Sequence, residues 1–112
     1  MTLDEFERKV TTACAASPIV QGLAVIGSGI TWLRLRAYLQ GNAYIEAFFN
    51  EKTGKTSYAM IRDDQRIFGA DNTNKWHWHP FDSPIIHEST TGEISFEEFL
   101  AQIEFWFDRN KA

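Results

Sequence analysis

Ile30-Thr31-Trp32-Leu33-Arg34-Leu35-Arg36-Ala37-Tyr38-Leu39, then Gln40-Gly41-Asn42, then Ala43-Tyr44-Ile45-Glu46-Ala47-Phe48-Phe49, alternates apolar and polar side chains on both sides of a glycine-bearing connection. Successive residues of a strand face opposite sides, so Leu33, Leu35, Ala37 and Leu39 share one face. Trp32, Arg34, Arg36 and Tyr38 share the other. The second run places Ala43, Ile45, Ala47 and Phe49 together in the same way. Reading the connection as a turn opposes Leu39 to Ala43, Ala37 to Ile45 and Leu35 to Ala47. On the reverse face Tyr38 then meets Tyr44 and Arg36 meets Glu46, and an aromatic pair and an opposite-charge pair both favour that register. A slip of one residue would turn every apolar side chain outward.

The strands continue on either side of this hairpin. Ile19–Ile26 reads as a less regular strand before it, with Gly27-Ser28-Gly29 as a turn or bulge signal. After it, Glu51-Lys52-Thr53-Gly54-Lys55 is a second connection and Thr56–Arg62 a further strand. Asp63-Asp64-Gln65 turns the chain into a short strand over Arg66–Ala70. Pairing Ala47 with Ala59, Ile45 with Ile61 and Ile61 with Ile67 would extend the apolar face. Helices flank the set. Thr2 and Glu5 have capping-box spacing, Leu3, Phe6, Val10, Ala13 and Cys14 follow on one helical face, and Pro18 stops the run. Ser95 and Glu98 repeat that spacing before a stripe of Phe96, Phe99, Leu100, Ile103 and Phe107. Phe105 and Trp106 lie off its centre, which suggests a helix covered on two sides. The expected fold is α+β: one domain over residues 1–112, an antiparallel meander of four to five strands, and both helices packed on one face.

The other sheet face, with Trp32, Arg34, Arg36, Tyr38, Tyr44, Glu46 and Phe48, is aromatic and basic at once. It reads either as an ordinary amphipathic or self-association surface or as a platform where rings stack on bases and arginines meet phosphates. A net charge of −4 excludes a generic polyanion binder. The basic residues Arg34, Arg36, Lys52, Lys55, Arg62, Arg66 and Lys75 nevertheless concentrate in the middle of the chain, ahead of an acidic tail. The single Cys14 excludes an internal disulfide and fits a reducing cytoplasm. Its alanine neighbours mark it as a small buried residue. No secretory leader is expected from Met1–Glu5, and no apolar stretch is long enough for a membrane span, so no membrane partner is expected.

All three histidines fall within Lys75-Trp76-His77-Trp78-His79-Pro80-Phe81-Asp82-Ser83-Pro84-Ile85-Ile86-His87-Glu88. This segment carries too many prolines and bulky rings for a regular element. Imidazole carries protons or binds metal near neutral pH, and three roles compete here. The rings can be structural, each half-buried with a nitrogen on a carbonyl. They can hold zinc, since His77 and His79 point the same way on an extended chain. His87 and either Asp82 or Glu88 would complete that site, although no H-E-x-x-H signature is present. Or they can act as acid and base on RNA, one imidazole deprotonating a ribose 2′-hydroxyl and another protonating the leaving oxygen. Arg62, Arg66 or Lys75 would then hold the growing phosphate charge, with no metal and no other cofactor required.

The run Arg66-Ile67-Phe68-Gly69-Ala70-Asp71-Asn72, the histidine segment with Pro80 and Pro84, and the closing acidic-aromatic helix together resemble the TumE family. These are small toxins of bacterial and archaeal toxin–antitoxin pairs. Asp71 and Asn72 match the family's Asp-Asn pair. His77, His79 and His87 stand in its histidine region, with Trp78 separating histidines that the pattern doubles. The resemblance implies a growth-inhibiting cytoplasmic protein, neutralised by a helix-turn-helix antitoxin and directed at RNA. On that reading His77, His79 and His87 are catalytic, and Arg62, Arg66, Lys75 and Asp71 bind substrate; Asp71 also reads as an ordinary turn residue. The alternative is no enzyme at all, but an interaction module or homodimer using the aromatic sheet face or the last helix.

Overall fold

The computed structural model describes residues 1–81, 88–90 and 92–110. Helix α1 (Leu3–Ala16) starts where Thr2 accepts the Glu5 backbone N–H, and it buries Phe6, Val10 and Cys14. Helix α2 (Phe96–Arg109) has both halves of its capping box, Ser95 with Glu98, and buries Phe96, Phe99, Leu100 and Ile103. Between them run β1 (Gly22–Ser28), β2 (Trp32–Leu39), β3 (Ala43–Asn50), β4 (Thr56–Arg62), β5 (Gln65–Asp71), β6 (His77–His79) and β7 (Glu88–Ser89). They form one seven-stranded sheet in chain order, antiparallel at every pairing described. The class is the expected α+β, with more strands than the expected four to five. The first strand begins at Gly22, so Ile19 and Val20 pack against the core from the loop before it.

The central hairpin has the register read from its alternation, Leu39 opposite Ala43 through Trp32 opposite Asn50. The next pair corrects the expected register by one residue. Ala47 faces Tyr58 and Ile45 faces Met60, so Ala59 and Ile61 lie on the sheet face away from the helices. Asn50 is the cause. Its side chain accepts the Lys52 and Thr53 N–H groups while its backbone pairs with Gly54 and Lys55, and the turn therefore returns Thr56 opposite Phe49. The reward is burial of Tyr58 and Met60, together a larger pair than the Ala59 and Ile61 that the other register would bury.

The expected pairing of Ile61 with Ile67 is also replaced. A bulge at Ile67 lets Met60 face Phe68 while Ile61 faces Arg66. Arg66 thereby moves to the sheet face away from the helices. The histidine segment corrects a third expectation, since the short strand β6 lies near its start and β7 begins at its last residue, Glu88. Trp78 of β6 faces Ala70 and joins a ring stack with Phe68 and Phe99, which covers Ala70 and places α2 over β4–β6. Phe6 stacks on Phe49 and brings α1 down beside it. Trp106 stacks on Phe81, whereas Phe105 is 60% exposed, so among the described residues the second side of α2 is covered at Trp106 and open at Phe105.

Candidate functional site

Strand pairing carries one row of side chains across the face opposite the helices: Arg34, Phe48, Ser57, Asp71, His77 and Ser89. A second row runs beside it through Arg36, Glu46, Ala59, Gly69 and His79. At one end of these rows, Arg36 lies over the Tyr44 ring and donates to Glu46 at 2.6 Å, while Arg34 lies over Phe48 and 3.6 Å from the same carboxylate. At the other end, two imidazoles meet one carboxylate. Small residues, Ser57, Ala59 and Gly69, separate the two groups.

The centre follows from strand geometry. His77 and His79 sit two positions apart on β6 and so project to the same side. Asp71 ends β5 directly opposite His77. His79 Nε2 lies 2.9 Å from Asp71 Oδ2, and His77 Nε2 lies 3.4 Å from Oδ1. The rings stand edge to face, their centroids 4.9 Å apart. Both are buried, His77 with 7% and His79 with 4% of its surface exposed. His77 Nδ1 is 2.9 Å from the Lys75 carbonyl. Burial by itself would raise the Asp71 carboxyl, but hydrogen bonds from Thr73 and His79, with His77 alongside, hold it below the ordinary carboxylate range.

These contacts settle the tautomers. A carbonyl only accepts, so His77 carries its hydrogen on Nδ1. An ionised carboxylate only accepts, so His79 donates from Nε2. The His79–Asp71 pair is thus a dyad in which the carboxylate orients the imidazole.

The structure brings together Asp71, His77 and His79 and separates other residues that the sequence grouped with them. Arg66 belongs nearby: a Cβ built on Gly69 would lie 3.6 Å from the Arg66 Cδ and 3.7 Å from the His79 Cβ. Arg62 does not, because it lies 5.5 Å over the Trp106 ring on the helix side. Lys75 is exposed and meets the centre through its carbonyl rather than its ammonium group. His87 and Asp82 lie outside the described residues, and Glu88 is exposed on β7. Asn72 is structural. It accepts from Thr56 N and donates to the Gly54 carbonyl, clamping the turn before β4. Sequence reading assigned Asp71 to substrate; its place beside the imidazoles was visible only through the β5–β6 register.

A cleft of about 570 Å³ opens on the opposite, helix-covered side, lined by Phe68, Trp78, Phe81, Phe105, Trp106 and Arg109 among others. No described helix is long and apolar enough to cross a membrane. Comparison with protein families, with curated proteins and with solved structures finds no match.

Proposed function

We propose that this chain is a growth-inhibiting, TumE-like toxin that acts on RNA at the sheet face opposite its helices. The observation that carries the reading is the meeting of two imidazoles and an ionised carboxylate on the face that also bears Arg34, Arg36, Tyr44 and Phe48. Rings and guanidinium planes hold unstacked bases and phosphates, and the His79–Asp71 dyad supplies an imidazole oriented by a carboxylate. Arg66, among the residues expected to hold phosphate, shares the sheet face of that dyad, its Cδ and the His79 Cβ both flanking Gly69.

Induced expression in a bacterial host tests this. Growth should stop, and total RNA should show new cleavage ends. Asp71→Asn and His79→Gln, each checked for folding by circular dichroism, should restore growth and intact RNA. Harmless wild-type protein would overturn the reading, as would folded variants with full toxicity.

A second reading has its own observation. Phe105 is 60% exposed beside the aromatic cleft on the α2 side, a surface suited to a partner such as an antitoxin segment. Capture of a purified, co-encoded helix-turn-helix protein by wild type, and its loss with Phe105→Glu, would favour that surface.

A further inference from the structure

We propose that the hollow between the β3–β4 turn and the β5–β6 turn binds a phosphate group, with Lys55 as its cation, and that this group is a backbone phosphate of the RNA strand beside the Asp71–His79 pair. The source of the phosphate rests on the RNA reading; the site itself rests on the two turns.

Contacts between the turns build the hollow. Gly54 takes a φ of +77°, open to glycine at no steric cost, and its N–H closes the β3–β4 turn on the Asn50 carbonyl. Asn72, the first residue after β5, donates to the Gly54 carbonyl at 2.9 Å and accepts the Thr56 N–H at 2.9 Å. This clamp sets Thr53, Gly54 and Lys55 against Asn72 and Thr73 around a space of about 190 Å³. Liquid water would fill that space with about six molecules, so a phosphate group fits with part of its hydration.

Hydrogen-bonding capacity selects the sign of the ligand. The side-chain acceptors around the hollow are engaged. Asn72 Oδ1 takes the Thr56 N–H, Thr53 Oγ1 takes the Lys55 N–H, and Thr73 Oγ1 takes the Lys55 ammonium. The Gly54 carbonyl accepts twice, from Thr56 Oγ1 and from Asn72. Donors are in surplus. An ammonium group has three hydrogens, and each threonine hydroxyl that accepts still has its own hydrogen to give. A site rich in donors and poor in open acceptors suits an oxyanion.

Charge agrees. Residues 51–55 and 72–76 carry Lys52, Lys55 and Lys75 against one carboxylate, Glu51. That carboxylate is turned towards α1, where it accepts the Leu3 N–H at 3.1 Å. On a chain of net charge −4, this end of the sheet is locally positive.

Thr73 joins the hollow to the histidine centre. Its hydroxyl accepts from Lys55 Nζ at 3.4 Å, while its backbone N–H donates to Asp71 Oδ1 at 2.9 Å. A strand lying over the Asp71–His79 pair therefore meets the Lys55 ammonium as it passes the end of β5. Sequence reading expected phosphate at Arg62, Arg66 or Lys75. Lys55 lies 18 positions from Thr73, and strand pairing alone brings the two together.

A single-stranded 2′-O-methyl RNA oligonucleotide, which lacks the reacting hydroxyl, measures binding without cleavage. Fluorescence anisotropy follows it from about 0.05 to 0.3 M potassium chloride. Lys55→Gln should weaken binding about three- to tenfold at the lower salt, for every sequence alike. It should also flatten the slope of log K against log salt by about 0.7, the share of one phosphate contact on a single strand. Thr73→Val should weaken binding a few-fold and keep the wild-type slope. Lys9→Gln, an exposed change on α1 across the sheet, should alter neither. Lys55 and Thr73 are exposed, so both variants should fold, which circular dichroism checks. In a second arm, inorganic phosphate at matched ionic strength should raise the melting temperature of wild type above that in chloride, and not that of Lys55→Gln. RNA binding that Lys55→Gln leaves unchanged in strength and slope would overturn an RNA phosphate here while the RNA reading stands. A wild type that ignores the oligonucleotide but is stabilised by phosphate through Lys55 would keep the site, overturn its RNA source and make free phosphate the ligand. Indifference to Lys55 in both arms would overturn the site.

Discussion

Asp71 and Asn72 are neighbours with separate work. Asn72 ties the turn at Gly54 to the start of β4, whereas Asp71, one position earlier on a strand, points to the opposite face and meets the histidines. A pair that looks like one signal is divided by the two-residue period of the strand. Cys14 shows a single residue obeying its surroundings more simply. Its thiol is buried under α1, and burial pushes its pKa from 9.0 to about 11. At about pH 8 the folded protein should therefore alkylate about 100-fold more slowly than the unfolded chain, since only thiolate reacts. The sign for stability follows. The folded state keeps this proton longer than the unfolded state, so its contribution is complete below the ordinary thiol value of 9.0 and declines as pH rises towards about 11. Iodoacetamide kinetics and urea titrations across that range measure both; native labelling as fast as unfolded would show an accessible thiol.

At the level of elements, α2 owes its position to rings. Phe99 is fully buried and stacks on Phe68 and Trp78, with Tyr58 beside it, so one side chain holds the helix to three strands. Phe99→Ala should cost about 3–5 kcal/mol, a large part of the stability of a domain this size. Phe105→Ala, on the exposed side of the same helix, should change stability by less than about 0.5 kcal/mol. Urea midpoints compare the two, and similar losses would mean that α2 packs otherwise. Strand β6 depends on the same stack. Trp78 anchors it on the helix side, which leaves His77 and His79 to project from the other.

Taken whole, the molecule has two unlike sheet edges. The β7 edge is short and carries Glu88. The β1 edge is seven residues long and has no charge, with Val25 52% and Ile26 38% exposed. A long uncharged edge invites pairing with another strand. Val25→Lys should leave the melting temperature nearly unchanged and raise the concentration at which the protein self-associates, as read by sedimentation velocity. Unchanged association would place any self-contact elsewhere.

The sequence by itself determined both helices, their caps and buried stripes, and the register of the central hairpin. Each rests on contacts a few residues apart, or on an alternation that only one pairing satisfies. The tertiary structure alone decided the rest. The β4 register turned on how Asn50 folds its own turn and on how much of Tyr58 and Met60 the helices could cover. Arg66 changed faces through one bulged residue, and the histidine segment became strand because Trp78 found Phe68 and Phe99. The Asp71–His77–His79 centre inherits all of these choices. Its three members come from two strands whose pairing is set by packing on the far side of the sheet, and no local pattern in the chain encodes that.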